Sequence, residues 1–171
     1  MSVNTSVLAI AGTWVGTPYR HQGSVKGVGC DCLGLVRGIW RELYGKEPEA
    51  VPAYQPDWAE RAGEERLIQA AGRHFLAVAS FAESRAGDLV LFRFRPHLAA
   101  KHAGILAYLS PEGGGGAMDA NGARLSETCA CDQRPPDAFI HAYEQSAVTL
   151  SALVPAWRRR IAGIYRFPER I

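Results

Sequence analysis

The sequence predicts an α+β fold, in which N-terminal helices pack on a mostly antiparallel sheet of about five or six strands. Two observations support this prediction. Apolar residues recur at helical spacing in the first half of the chain, whereas short apolar or alternating segments follow from residue 87 onward. Helices that come first and strands that come later favour separate layers. The 171 residues, 47% of them hydrophobic, suffice for one core, so we expect a single domain over residues 1–171.

The clearest predicted helix runs from about Asp31 to Tyr44. Its apolar residues share one stripe of the helix surface: Cys32, Leu35, Val36, Ile39, Trp40 and Leu43. Asp31 has a side chain suited to capping this helix, and Gly45 ends it. Residues 20–30 hold three glycines and predict a loop. After a proline-rich connection, a second helix is predicted within residues 57–79.

Five segments in the second half of the chain predict strands: residues 89–94, 102–109, 138–143, 147–150 and 161–167. In the first of them, Val90, Phe92 and Phe94 alternate with residues of the opposite face, which is the pattern of a strand. The glycine-rich stretch PEGGGG and the polar residues after it predict an inserted surface loop at about 110–137.

The charge and the apolar pattern argue against two classes of partner. The formal net charge is +2, and the Lys and Arg residues are spread out, so nothing indicates nucleic-acid binding. The short run from Arg158 to Arg160 is interpreted as a solvated helix end. No apolar stretch approaches about 18 residues, so no membrane span is predicted. The N-terminus lacks the features of a secretory signal, and we expect synthesis in the cytoplasm without a signal peptide.

The four cysteines form two C-x-C pairs, Cys30 with Cys32 and Cys129 with Cys131. This spacing is neither a disulfide-rich secreted pattern nor the C-x-x-C of common zinc sites, so a reduced origin fits it best. A four-thiolate metal site remains an alternative, although a one-residue gap strains tetrahedral chelation.

Cys32 is the strongest candidate for a reactive side chain, because it lies on the first turn of a helix after a glycine-rich loop. Unsatisfied backbone N–H groups and the helix dipole stabilise a thiolate there, and we expect them to lower the thiol pKa. The alternative is that Cys32 is a small buried hydrophobic residue, as most free cysteines are. Cys30 precedes the helix and has no such activation.

A cysteine nucleophile needs a base within hydrogen-bond reach and a third group that orients the base. His102 opens the apolar segment HAGILAYL, and His141 lies within FIHAY on the next predicted strand. The two imidazoles can meet if these strands are neighbours. Taken alone, each is more often a packed core histidine. His21 and His97 in loops and His74 on a helix are expected to have surface or packing roles.

Three segments together resemble the NlpC family of papain-like cell-wall cysteine peptidases. GTPYRHQG followed by CDCLGLV is similar to the family's tyrosine-glycine loop and D-C-S-G-L-V signature. AGDLVLF with KHAGILAY is similar to its G-D-L-V-F-F and H-V-G-I-Y strands, and FIHAYEQSAV follows. The resemblance covers about residues 11–45 and 86–150. It implies a papain-like fold and hydrolysis of an amide in peptidoglycan stem peptides, typically between γ-D-glutamate and the diamino acid.

Residue by residue, the resemblance implies Cys32 as nucleophile, His102 as base and His141 as the residue that orients His102. Tyr19 corresponds to the family's active-site tyrosine. Asp31 corresponds to the acidic neighbour that helps to bind the free amino terminus of the substrate. The mechanism requires no metal or cofactor.

The sequence departs from the family pattern at two places. Leu33 stands where the family usually has serine, which removes a polar contact to the substrate. The insertion also separates the two histidines, so Asp119, Asn121 or Asp132 could orient the base if His141 were displaced. An arginine-rich tail ending in YRFP resembles the phage and gene-transfer-agent branch, which implies phage tail or gene-transfer-agent proteins as partners and action on the wall from a phage-like particle.

Three other functions remain open. One is a related amidase or acyltransferase, such as an N-acetylmuramoyl-alanine amidase, because fold and triad do not fix the acceptor. Another is a non-catalytic wall-binding component of a phage tail, and a third is a small metal-binding domain built on the two C-x-C pairs.

Overall fold

The computed structural model describes residues 2–55, 63–109 and 134–169. Its helices are α1 (Val3–Trp14), α2 (Cys32–Tyr44), α3 (Arg66–His74) and α4 (Pro155–Arg158). A short hairpin before α2 contains β1 (Ser24–Val25) and β2 (Gly29–Cys30). The main sheet contains β3 (Leu76–Ala77), β4 (Leu89–Phe92), β5 (His102–Ala107), β6 (Ala138–Ala142), β7 (Val148–Ala152) and β8 (Ile161–Arg166).

The six strands of the main sheet lie in the order β3-β8-β4-β5-β6-β7, and every neighbouring pair is antiparallel. The predicted α+β fold with helices on an antiparallel sheet is therefore confirmed. The predicted helix at 31–44 is confirmed almost to the residue, with Asp31 as its cap. The predicted strands in the second half of the chain are present, although the first ends at Phe92, before the exposed Phe94.

Three elements differ from the prediction. Helix α1 is not predicted, because VNTSVLAIAGTW has no charged residue and its exposed side therefore contrasts only weakly with its buried side. The predicted loop at 20–30 contains a two-residue-per-strand hairpin, which is too short for a periodic signal. The second helix spans only Arg66–His74 of the predicted 57–79. Residues 57–62 of that range, and most of the predicted insertion at 110–137, lie outside the described residues.

The central strands β4, β5 and β6 are buried on both faces of the sheet. On one face, α1 and α2 cover Leu89, Leu91 and Ile105 in the main core. On the other, Val90 and Phe92 belong to a second cluster, which Phe81 and Trp157 help to cover. The alternation predicted for β4 is therefore correct, but neither set of its side chains faces solvent.

The Gly-Asp pair that precedes β4 joins three elements of the fold. Gly87 has a φ of +90°, and a Cβ at this position would lie 2.3 Å from the carbonyl oxygen of Asn4 in α1. The fully buried carboxylate of Asp88 accepts hydrogen bonds from Asn4 Nδ2 and from the Arg166 guanidinium, each at 2.8 Å. Asp88 thus ties the start of β4 to α1 and to β8.

The sheet order brings the two candidate histidines together. Strand β5 pairs with β6 through Ile105 and Ile140, and His141 is the next residue of β6. The condition set by the sequence, that the two strands be neighbours, is therefore met. Strands β5 and β6 pair although a long stretch of sequence separates them.

A tight contact between α1 and α2 should make Gly38→Ala destabilising. An added Cβ would lie 2.1 Å from two ring carbons of Trp14, which is 2% exposed and is held by a hydrogen bond from Nε1 to Glu42. We expect overpacking to lower the free energy of unfolding by about 1–3 kcal/mol, measured by urea unfolding.

Gly72→Ala is the matched control, because a Cβ at this helical glycine of α3 would meet no atom within 4 Å. We expect this variant to be neutral or more stable by up to about 1 kcal/mol. An equal effect of both alanines would contradict the close packing of α1 on α2.

Candidate active site

Asp31 fixes the loop that leads into Cys32. Its carboxylate is 3% exposed and accepts hydrogen bonds from the backbone N–H of Gly34 (2.8 Å) and Gln22 (2.7 Å), and from the hydroxyl of Tyr54. His21 Nδ1 lies 3.7 Å from the same carboxylate. The predicted cap of α2 is confirmed, and the carboxylate is surrounded by protein donors.

The sulfur of Cys32 lies against the backbone on both sides of His102. Sγ donates a hydrogen bond to the carbonyl oxygen of Lys101 at 3.8 Å, and the backbone N–H of Ala103 also bonds to the sulfur. The β5–β6 ladder begins only at Ile105, so Cys32 lies beside β5 just before that pairing starts. Helix α2 and strand β5 therefore bring the predicted nucleophile and base to one place.

His102 is the first member of a hydrogen-bonded series on the sheet. Its Nε2 lies 2.8 Å from Nδ1 of His141, and His141 Nε2 lies 2.9 Å from the hydroxyl oxygen of Ser151. His141 is 1% exposed. Since Nε2 of His102 is engaged with His141, Nδ1 is the ring nitrogen that remains for a proton from Cys32.

The hydrogen-bond series determines the tautomers of a functional pair. For His102 Nδ1 to accept a proton, the ring must carry its own proton on Nε2 and donate it to His141 Nδ1. His141 then carries its proton on Nε2 and donates it to Ser151. The hydroxyl oxygen of Ser151 can accept this proton, so the contact is compatible with the tautomer of His141 that accepts from His102.

Burial keeps both imidazoles neutral. It lowers the pKa of His102 to about 4, with the nearby Lys101 charge adding to the effect. It lowers the pKa of His141 to about 3, and the proximity of His102 contributes. Both rings are therefore uncharged at neutral pH.

The predicted lowering of the Cys32 pKa is wrong for the free protein. Burial, and then the negative charge of Asp31, raise the pKa of the thiol to about 12, although the backbone N–H groups of Ala103, Leu33 and Cys32 itself act in the opposite direction. The cost of burying a lone thiolate exceeds the stabilisation from the helix N-terminus. The thiol at rest is neutral, like the imidazoles.

Tyr19 lies close enough to Cys32 for the charge of the thiolate to act on its phenol. Burial, followed by the negative charges of Asp31, Cys32 and Glu144, raises the pKa of its phenol to about 12. The backbone N–H of Tyr19 donates to the carbonyl of Ser146 in the β6–β7 turn at 2.8 Å. Its hydroxyl thus stays protonated and can donate a hydrogen bond.

The structure adds residues that the sequence analysis did not identify. Tyr54 binds the Asp31 carboxylate, and Ser151 ends the histidine series. The Trp157 ring lies 5.8 Å from the His102 ring and 5.7 Å from the His141 ring, between centroids. These residues belong to segments without a motif, so only their position in the fold reveals them.

Two alternatives from the sequence involve residues outside the described part of the chain: Asp119, Asn121 and Asp132 as orienting groups, and Cys129 and Cys131 as metal ligands. Within residues 2–55, 63–109 and 134–169, no group of three or more His, Cys, Asp or Glu side chains could hold a metal ion. No helix in these same ranges is long and apolar enough to cross a membrane.

A cysteine at the start of a helix, beside a strand histidine on an antiparallel sheet, defines the papain-like class of thiol proteins. Within that class, the model of the NlpC/P60 family matches residues 16–166, and the chain belongs to this family. No curated protein matches the chain.

Solved structures with the same fold include three NlpC/P60 proteins. One is the NlpC/p60 domain of the peptidoglycan hydrolase SagA, at TM-score 0.51 and 18% identity, with 96% of this chain and 98% of that chain covered. A Staphylococcus aureus protein, similar to a lipoprotein of the NLP/P60 family, aligns at TM-score 0.53 and 17% identity over 96% of this chain. A Bacillus cereus NlpC/P60 family protein aligns at TM-score 0.56 and 17% identity, also over 96% of this chain. The chain spans only 41% and 40% of the latter two proteins.

The raised thiol pKa predicts slow alkylation of Cys32 at neutral pH. Because only the thiolate reacts, we expect the rate of modification by iodoacetamide to be low at pH 7 and to rise steadily toward pH 10. Peptide mapping by mass spectrometry after short exposures measures the rate at each cysteine. Cys30, which is 0% exposed, is the internal control and should stay unmodified in the folded protein. Fast alkylation that persists unchanged down to pH 5 would indicate a resting thiolate and contradict the neutral pair.

Proposed function

We propose that this chain is a cell-wall hydrolase that cleaves an amide bond in peptidoglycan stem peptides, with Cys32 as nucleophile. The observation that carries the proposal is the series from Cys32, against the backbone of His102, through His141 to Ser151. Packing alone gives no reason to bury two histidines that must both stay neutral. Membership of the NlpC/P60 family, and the shared fold of the SagA peptidoglycan hydrolase domain, support the wall as the site of action.

The first half of the reaction acylates the enzyme. His102 Nδ1 takes the proton of Cys32 as the sulfur attacks the amide carbonyl carbon. The resulting imidazolium gives this proton to the leaving nitrogen, the C–N bond breaks, and a thioester remains. The low pKa of buried His102 makes its imidazolium a strong acid toward the leaving amine.

The second half regenerates the thiol. A water molecule gives a proton to His102 and attacks the thioester carbon, which releases the carboxylate product and returns the proton to sulfur. Throughout, His141 accepts the hydrogen bond from His102 Nε2 and keeps the ring oriented without a negative charge. A buried carboxylate partner would make His102 more basic, whereas the neutral imidazole of His141 does not.

Two groups of donors would stabilise the oxyanion. The backbone N–H groups of Cys32 and Leu33 at the start of α2 point toward the sulfur and act on its pKa. The phenol of Tyr19, kept protonated by its raised pKa, is the second donor. Helix N-termini are suited to this role because their first N–H groups lack partners in the helix.

The acidic side of the cleft would hold the free amino end of the stem peptide. Because three donors of the protein already occupy the Asp31 carboxylate, Asp31 would act on a substrate cation mainly through its charge. Glu144 is exposed and its charge also reaches Tyr19, which makes it a second acidic group near this position. Leu33 packs against the core and offers no polar contact here.

The finer assignment rests on the resemblance. We propose the bond between γ-D-glutamate and the diamino acid as the bond cleaved, by a single catalytic domain over residues 1–171. Delivery to the wall by a phage tail or a gene-transfer agent stays a prediction from the arginine-rich tail.

The proposal predicts thiol-dependent cleavage of wall peptides. Purified stem peptides incubated with the wild-type protein under reducing conditions at neutral pH should give new fragments by mass spectrometry. We expect Cys32→Ala to lower the rate by at least about a thousandfold, since it removes the nucleophile.

Cys30→Ala is the matched control, because it removes a buried thiol two residues away and should keep most of the activity. Equal fragment yields from wild type and Cys32→Ala would contradict the thiol mechanism. No fragments from the wild type on several wall chemotypes would favour the non-catalytic wall-binding alternative.

A further inference from the structure

An open groove of about 540 Å³ is lined in part by Phe94, whose ring lies 6.0 Å from the ring of His102. The wall of the groove consists of Arg93, Phe94, Pro96, Ala156, Arg159, Arg160 and Ile161. The volume is within the usual range of small-ligand sites. Three of these seven residues are arginines, so the groove is rich in positive charge.

Two aromatic rings connect this groove to the catalytic base. The rings of Phe94 and Trp157 lie 6.0 and 5.8 Å from the ring of His102. The guanidinium of Arg160 lies over the same two rings, at 5.5 Å from Phe94 and 5.6 Å from Trp157. His102 and Arg160 thus both lie within about 6 Å of the same two rings.

The cations of the groove differ in what they already bind. Arg93 forms an ion pair with Glu65 at 2.5 Å and donates to the carbonyl of Leu98, so its charge is compensated. Arg159 and Arg160 are exposed, and no carboxylate within the described ranges forms an ion pair with either of them. The Arg160 guanidinium stacks on Phe94 and Trp157 through its flat face. This stacking does not engage the N–H donors at the edge of the guanidinium.

We propose that Arg159 and Arg160 bind a carboxylate carried by the leaving-group residue of the substrate. The inference rests on the proposed function, in which His102 protonates the leaving nitrogen, so the leaving residue lies on the His102 side of the cleft. The N–H donors along one edge of a guanidinium can form hydrogen bonds with both oxygens of a carboxylate. The groove on that side therefore selects a stem peptide whose diamino acid residue has a free carboxylate over one in which it is amidated.

The charged groups near Tyr19 and those of the groove have opposite signs. Asp31 and Glu144 act on Tyr19, whereas Arg159 and Arg160 line the groove beside Phe94. A short peptide with a free amino group and a free carboxylate would place its amino group toward Asp31 and its carboxylate toward the arginines. On this proposal, the two sets of charges would orient the substrate as well as select its class.

Binding to the inactive Cys32→Ala protein tests the inference without requiring turnover. Two synthetic stem peptides, identical except for a free or an amidated carboxylate on the leaving diamino acid, are titrated by calorimetry. We expect the free acid to bind about tenfold more tightly or better, which is the effect of one charge-assisted contact. Adding Arg160→Gln should reduce the preference to within about twofold, and Arg160→Lys should keep part of it.

Arg158→Gln is the charge-matched control, because the Arg158 guanidinium lies 4.3 Å from the Phe81 ring and does not line the groove. It should leave the preference for the free acid intact. Equal binding of acid and amide, no binding of either peptide, or an equal loss in the Arg158 and Arg160 variants would overturn the inference.

The same two peptides separate this inference from the proposed function. If the wild-type protein cleaves both peptides at the same rate and its Cys32→Ala form binds both equally, the hydrolase function stands and the carboxylate site fails. If Cys32→Ala prefers the free acid but the wild type cleaves neither peptide, the carboxylate site stands and the hydrolase function fails.

Discussion

The hydrogen bond between His102 Nε2 and His141 Nδ1 is the constraint on which the site depends. It exists because β5 and β6 are adjacent, and it leaves only His102 Nδ1 for the thiol proton. The bond from His141 to Ser151 on β7 extends the constraint to a third strand. Residues on three strands thus hold the ring of His102, the proposed base, in place before a substrate arrives.

Burial keeps the thiol of Cys32 and the imidazoles of His102 and His141 neutral in the free protein. Each buried group disfavours its own charge, so the pKa of the thiol is raised while those of both imidazoles are lowered. In the proposed mechanism, proton transfer from Cys32 to His102 would create two opposite charges side by side, and each would offset part of the burial cost of the other. The thiolate would then form only as the reaction proceeds. The helix N-terminus contributes its N–H groups, but it does not ionise the thiol alone.

The extent to which the sequence predicts this structure follows from how local each signal is. Helix α2 is predicted closely because its apolar stripe and its cap are contained in fourteen consecutive residues. Helix α1 is not predicted because it has no charged face, although Val7, Ala11 and Trp14 recur at helical spacing. Cys32 and His102 follow from motifs, and the neighbouring strands then bring His141 to the base. Ser151, Trp157 and Tyr54 have no motif, and their roles depend on contacts between distant segments. Even the sign of the Cys32 pKa shift depends on burial, which position on a helix does not reveal.

In the proposed mechanism, the neutral series from His102 to Ser151 presents Nδ1 of His102 to the thiol of Cys32. Imidazole ¹⁵N NMR of the free protein at pH 7 tests this arrangement directly, because protonated and unprotonated ring nitrogens have distinct shifts. We expect His102 and His141 both to be neutral, with the proton on Nε2 in each ring. A proton on Nδ1 of His102, or a charged imidazolium on either ring at this pH, would contradict it.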